Sequence, residues 1–140
     1  MNPVTKLPAK PRPRLDGPER PFWEGLREGQ VRVQKCLSCD SLRFPASRYC
    51  AKCHSDASEW AAVPPSGVVE SFCVFHRAYF PGFVNEMPYA VVQVKLDSGV
   101  RFFSNMPGMA NEDIRIGMRV KGFFDRADRE LTLLKFKPEN

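Results

Sequence analysis

Four cysteines stand as two pairs, Cys36-Leu-Ser-Cys39 and Cys50-Ala-Lys-Cys53, with ten residues between them. A pair at this spacing folds as a tight knuckle that presents two thiolates to one ion, and two such pairs complete a tetrahedron. The same residue types also serve disulfides and redox dithiols. Disulfides need an oxidising compartment, and a redox dithiol needs only one pair within a βαβ surround. The pattern therefore points to Cys36, Cys39, Cys50 and Cys53 as the ligands of one metal ion, with Zn2+ expected and iron on four thiolates left open. Four protein ligands leave no coordination position for water, so such an ion holds the fold together and performs no chemistry. Lys35, Arg43, Arg48 and Lys52 flank the thiolates and would offset their charge. His54, next to Cys53, reads as a loop residue, since a fifth ligand is not needed.

The remaining chemistry-bearing residues are sparse. Cys73 lies inside a β-rich run far from the knuckles and reads as a small buried apolar side chain. His76 opens the segment His76-Arg-Ala-Tyr-Phe-Pro-Gly-Phe83. There, Tyr79, Phe80 and Phe83 either cover the end of a β-structure or carry binding residues on a rigid frame. The chain has two histidines and lacks a nucleophile elbow, a glycine-rich phosphate loop and an HExxH helix, so nothing in the spacing asks for catalysis.

These residues must be positioned by a small scaffold. With 140 residues the chain fits one compact body or two very small modules. Its formal charge of +5 suits phosphates, whether of nucleic acid or of a phosphorylated cofactor. Residues 1–16 are proline-rich and basic and read as an extended arm, because Pro3, Pro8, Pro11 and Pro13 forbid ordinary helix or central strand. Asp16 to Gly29 carries the signals of a short helix. Asp16 is placed to cap, Pro18 or Pro21 suits the first turn, and Gly29 ends it. Phe22, Trp23 and Leu26 form one apolar face, which either packs on the chain's own core or docks a partner.

From residue 66 the pattern becomes one of strands. Runs at 68–75, 89–96, 100–104, 118–125 and 131–137 are rich in β-branched and aromatic residues, and Asp97-Ser98-Gly99 reads as a hairpin turn between the second and third. Five short strands without intervening long helices suggest a Greek-key barrel such as an OB-fold, with a sandwich as the alternative. The expected organisation is mainly β: arm 1–16, helix and first ribbon strand 17–34, metal ribbon 35–62, barrel 63–140. No apolar run reaches about 18 residues, and no apolar leader stands near the first residue, so the expected address is the cytoplasm without a membrane span.

A single-stranded nucleic-acid binder is the rival reading. Arg101, Phe102 and Phe103, with Arg119, Lys121 and Phe123, would supply a basic groove with stacking rings. Consecutive strand residues face opposite sides, however, so Phe102 and Phe103 cannot share one open face.

The helix with Phe22-Trp23-Glu24-Gly25, the two knuckles with Phe44-Pro45 between them, and the later segments Pro81-Gly-Phe83, Pro88 to Gly99 and Ile116-Gly-Met118 together resemble the DUF35 family. The likeness runs from about residue 17 to residue 136. Asp40 departs from the pattern, standing where members commonly carry glycine after the second cysteine, which puts the turn of the first knuckle in question. The resemblance implies a rubredoxin-like zinc ribbon joined to an OB-fold. It also implies an acyl-CoA-associated accessory subunit of a thiolase-like, condensing or hydratase/aldolase enzyme. His76, Arg77, Tyr79, Phe80, Pro81, Gly82 and Phe83 would then lie near acyl-CoA or the partner, with Arg77 offered to a phosphate and the rings to a pantetheine arm.

Overall fold

The computed structural model describes residues 9–139. The first eight residues of the expected arm lie outside the described ones. Helix α1 (Arg20–Arg27) carries Pro21 in its first turn, where a missing N–H costs nothing, and Gly29 follows it at φ 79°. The expected cap does not form. The Arg20 N–H bonds to the Gly17 carbonyl at 3.0 Å, a turn that leaves Asp16 upstream, where it accepts from Arg14 Nε at 2.8 Å. Glu19 takes the capping position without a side-chain bond.

The ribbon is a three-stranded antiparallel sheet of β1 (Val31–Cys36), β2 (Leu42–Arg43) and β3 (Ser58–Val63), in the order β2-β1-β3. Its long pairing runs from Val31 opposite Val63 to Cys36 opposite Ser58, so the first cysteine knuckle begins where the ladder ends.

The second sheet holds β4 (Ser66–Phe75), β5 (Tyr89–Leu96), β6 (Arg101–Ser104), β7 (Arg119–Arg126) and β8 (Thr132–Pro138), in the order β6-β5-β4-β7-β8 with every neighbour antiparallel. Each expected strand is present, its ends within two residues of those read from the sequence. Gly99, at φ 97°, closes the β5–β6 hairpin, donating to the Leu96 carbonyl at 2.8 Å. The sheet curls until its outer strands meet. The Phe136 N–H donates to the Asn105 carbonyl at 3.0 Å, and the Ser104 hydroxyl donates to the Leu134 carbonyl. This is the expected OB-like barrel, filled by inward side chains such as Val69, Val92, Val94, Val120 and Phe136, each at most 1% exposed.

One expectation fails inside β4. Cys73 is exposed, not buried. Val69 faces the core, and a strict two-residue alternation would send Cys73 the same way. A bulge between Val69 and Ser71 inserts one residue, so Phe72 and Val74 turn inward and Cys73 turns out.

Helix, ribbon and barrel meet at three rings. Phe22 of α1 lies 4.7 Å from Phe44 of the ribbon, and Phe44 lies 4.3 Å from Phe102 of the barrel, centroid to centroid. Phe22 stacks on Phe102 at 5.9 Å, and Leu26 is buried beside them. Phe22 and Leu26 are thus committed to the chain's own core, while Trp23 is half-buried.

Candidate functional site

The two knuckles share the same backbone hydrogen bonds. The Asp40 N–H donates to the Cys36 carbonyl and the His54 N–H to the Cys50 carbonyl, both at 2.9 Å. One residue on, the chain returns: the N–H groups of Cys36 and Cys50 donate to the carbonyls of Ser41 and Ser55, again both at 2.9 Å. Each knuckle requires a left-handed residue after its second cysteine. Asp40 and His54 both take φ 65°, a conformation that aspartate and histidine accept more readily than most side chains. The turn that Asp40 put in question is therefore formed without glycine, and His54 acts as the matching turn residue.

The four sulfurs lie within 4.8 Å of one another. Cys36 and Cys53 are 3.5 Å apart, and Cys39 and Cys50 are 3.6 Å apart. A tetrahedron with metal–sulfur bonds of about 2.3 Å has edges of about 3.8 Å, so the sulfurs fit a four-thiolate metal site. Cys36 and Cys50 are buried at its floor, and Cys39 and Cys53 form its rim.

The surround favours thiolate at two of the four. The Ser41 hydroxyl and the N–H groups of Cys53 and Lys52 bring Cys50 down to about 5, and the Cys39 N–H lowers Cys36. At Cys53 the Ser55 N–H favours the thiolate, but contact with the Cys36, Cys39 and Cys50 sulfurs and partial desolvation together outweigh it and push it up to about 12. Four thiols this close cannot all lose their protons unaided; a dication among them would supply the missing positive charge. Of the flanking basic groups, Arg43 turns to the Ser47 carbonyl at 2.9 Å and Arg48 lies over the Tyr49 ring, so neither guanidinium is directed wholly at the sulfurs.

The loop between β4 and β5 splits in two. Its first half, His76 to Phe80, points outward: Tyr79 is 66% and Phe80 51% exposed, and Arg77 lies 5.4 Å over the Tyr79 ring. Together with Val74, Phe75 and Tyr89, the residues His76, Arg77, Tyr79 and Phe80 line an open concavity of about 670 Å³. Its second half is a 3-10 turn, Pro81–Glu86, that brings Phe83 onto Tyr89, the rings stacked at 5.0 Å. Gly82 packs there against Lys10, whose backbone and side chain would lie 2.9 Å or less from an added Cβ.

Lys10 belongs to a feature that the sequence did not announce. Residues 9–13 run across one end of the barrel as a strap. Lys10 pairs with Glu86 and sits over the Phe83 ring, and Arg12 pairs with Asp128. Beneath the strap is a groove of about 740 Å³, walled by Pro11, Tyr89, Met106, Met109, Leu131 and Leu133 among others. Lys10, Arg12, Glu86, Asp125 and Lys135 also line it, and that size and mixed lining suit a small organic ligand. Partners far apart in sequence, such as Arg12 and Asp128, left no local signal of this contact.

The proposed nucleic-acid face is largely spoken for. Arg101 grips Glu70 at 2.7 Å, and Arg119 holds Asp97 at 2.8 and 2.9 Å, also reaching Glu139. Phe102 is buried while Phe103 is 75% exposed, so the two rings do not form one platform. Among the described residues, no helix is long and apolar enough to cross a membrane.

Comparison with known proteins bears on this architecture. Residues 23–59 match the ChsH2 rubredoxin-like zinc ribbon domain and residues 60–125 the ChsH2 C-terminal OB-fold domain. The chain is 35% identical over 129 residues, 92% of its length, to a probable enoyl-CoA hydratase alpha subunit of Thermomonospora curvata. It is 29% identical over 103 residues, 74% of its length, to the 3-oxo-4,17-pregnadiene-20-carboxyl-CoA hydratase alpha subunit of Mycobacterium tuberculosis. It spans only 40% and 32% of those two relatives. Among solved structures, a chain of the Ltp2-ChsH2(DUF35) aldolase superposes with a TM-score of 0.81 at 35% identity, covering 91% of this chain and 98% of that one. A DUF35 protein of unknown function from Sulfolobus solfataricus shares the fold, with a TM-score of 0.59 at 15% identity over 86% of this chain and 84% of that one. The ribbon, the barrel and these likenesses together place the chain in the DUF35 family, among its ChsH2-type zinc-ribbon and OB-fold members.

Proposed function

We propose that this chain is a non-catalytic subunit that binds and supports an acyl-CoA enzyme of the hydratase, aldolase or thiolase-like class. The observation that carries the reading is its likeness, across nearly its whole length, to a chain of an aldolase whose name joins two components. The metal site agrees with a supporting role. Four thiolates close the coordination sphere, so zinc there would lock the ribbon and leave no position for substrate. Acyl-CoA is the proposed ligand of the barrel side, with His76, Arg77, Tyr79 and Phe80 facing the partner or the cofactor. Pro81, Gly82 and Phe83 connect that surface to the strapped groove. Trp23, beside the exposed ring of Phe103, is the part of the helix face left for a partner.

Co-expression with a candidate hydratase, aldolase or thiolase-like enzyme tests this reading. The two chains are expected to co-elute at micromolar concentration, and the purified chain alone to turn over no acyl-CoA. Separate elution, or turnover by the isolated chain, would count against it.

A further inference from the structure

We propose that Arg27, Arg126 and Arg129 form a site for the phosphate groups of a nucleotide-headed thioester whose chain lies in the strapped groove. This inference rests on the acyl-CoA reading above and assigns the phosphates to a different surface from Arg77.

The three arginines come from separate elements and line one polar concavity of about 420 Å³, together with Glu24, Glu28, Asp128 and the buried Thr132. Every carboxylate in that wall is already engaged from outside it. Glu24 accepts from Arg20 at 2.9 Å, Glu28 from Arg32 at 2.7 Å, and Asp128 pairs with Arg12. Arg27, Arg126 and Arg129 form no ion pair among the described residues. Six guanidinium groups therefore share three carboxylates, and the local excess of positive charge sits at the three unpaired arginines. Like charges gathered in one concavity repel, and an anion placed between them relieves that repulsion while gaining bidentate hydrogen bonds.

The frame beneath them is fixed. Arg27 lies in the last turn of α1, which packs on β7 and β8. Arg126 ends β7, and Arg129 lies in the turn to β8. That turn is pinned by Asp128, whose Oδ1 accepts the N–H groups of Glu130 at 2.8 Å and Leu131 at 2.9 Å, and by the Ala127 N–H on the Leu131 carbonyl at 2.9 Å.

The neighbouring groove sets the class of ligand. Asp125 and Ala127 line the strapped groove, while Arg126 and Asp128 line the arginine-rich concavity, so alternate residues of one strand end divide the two. The Arg12–Asp128 pair stands at the boundary. A ligand with a phosphate head and a long, largely apolar tail fills both compartments, its tail passing beneath residues 9–13.

Calorimetric titration of the chain with CoA, pyrophosphate and pantetheine at low ionic strength tests the assignment. CoA and pyrophosphate are expected to bind, and to bind more weakly as salt rises. Arg126→Ala with Arg129→Ala, and separately Arg27→Gln, should weaken both by about tenfold or more, since each removes charge-assisted hydrogen bonds, and should leave pantetheine binding unchanged. These side chains are exposed, so melting temperatures should not move. Lys95→Ala, at an exposed position of β5, is the control and should leave pyrophosphate affinity as it was. Wild-type chain that binds neither CoA nor pyrophosphate, or folded arginine variants that bind both as wild type does, would overturn the site. Tighter capture of an oligonucleotide than of CoA through the same arginines would overturn the small-ligand assignment. Failure of the companion role reads differently: the chain would elute apart from every acyl-CoA enzyme while the arginine-dependent titration persisted.

Discussion

The ribbon tip and the barrel reach order by opposite means. Between residues 36 and 57 the only buried side chains are Cys36 and Cys50, both of them sulfur ligands of the expected ion. The barrel, by contrast, buries a continuous apolar cluster from Val69 through Phe136. Apart from Leu42 and Phe44, which pack partly buried against the core, the segment has little apolar burial to offset its own conformational entropy, and a bound metal would supply what side-chain packing supplies elsewhere. The contrast locates where a bound ion would matter: residues 36–57 are expected to depend on it, and the barrel is not.

Removing the metal should break the contrast most visibly. Zinc on four thiolates contributes on the order of 10 kcal/mol to small domains that fold around it. Chelation, or Cys50→Ser, is therefore expected to abolish stoichiometric metal in elemental analysis and to strip amide-exchange protection from residues 36–57, while Val92, Val94 and Val120 keep theirs. Acid acts in the same direction, because protons compete with the ion for the sulfurs. Equal loss of protection in both regions would erase the distinction, and no loss in either would remove the metal from the account.

The junction between the regions comes next. Phe22→Ala empties a ring site shared by helix, ribbon and barrel and should cost about 3–5 kcal/mol in denaturant unfolding. Loss confined to the ribbon, with the barrel's midpoint unmoved, would show that the shared rings do not couple them.

A smaller effect sharpens the reading of the knuckles. Asp40→Gly and His54→Gly relieve left-handed backbone and should raise stability by at most about 1 kcal/mol each, whereas valine at either position should lower it and weaken metal retention. If glycine proves no better than the native residues, the φ of 65° carries no strain worth removing.

The smallest expected effect lies in the barrel's response to pH. Arg119 holds the Asp97 carboxyl below its ordinary value of 3.8 by hydrogen bonding. Asp97 therefore contributes stability that is fully present above that value and is lost as pH falls through its lowered folded value. Thermal scans should show the barrel indifferent to pH between neutrality and about pH 5, by which point metal release is already under way. A barrel transition that tracked metal loss would contradict this.

Much of this could be read from residue types alone, because the signals were local. The cysteine spacing named the four sulfurs that the fold gathers within 4.8 Å of one another, and runs of Val, Phe and Tyr marked five strands to within two residues. What escaped was decided by contacts or by single-residue irregularities. Asp16 has the chemistry of a cap but lies one turn too early, and the β4 bulge reversed the facing of Cys73 without any glycine to announce it. The strap depended on Arg12 finding Asp128, 116 residues away, and the arginine concavity on which carboxylates were already taken. Neither pairing has a periodicity.

The three-ring junction of Phe22, Phe44 and Phe102 sets how this molecule would behave in an assembly. Because each module lends one ring to a common wedge, the angle between metal knuckles and barrel mouth is fixed before any encounter, as in a welded bracket. An enzyme that grips one arm would find the other already aimed, and would lose little freedom in fixing it.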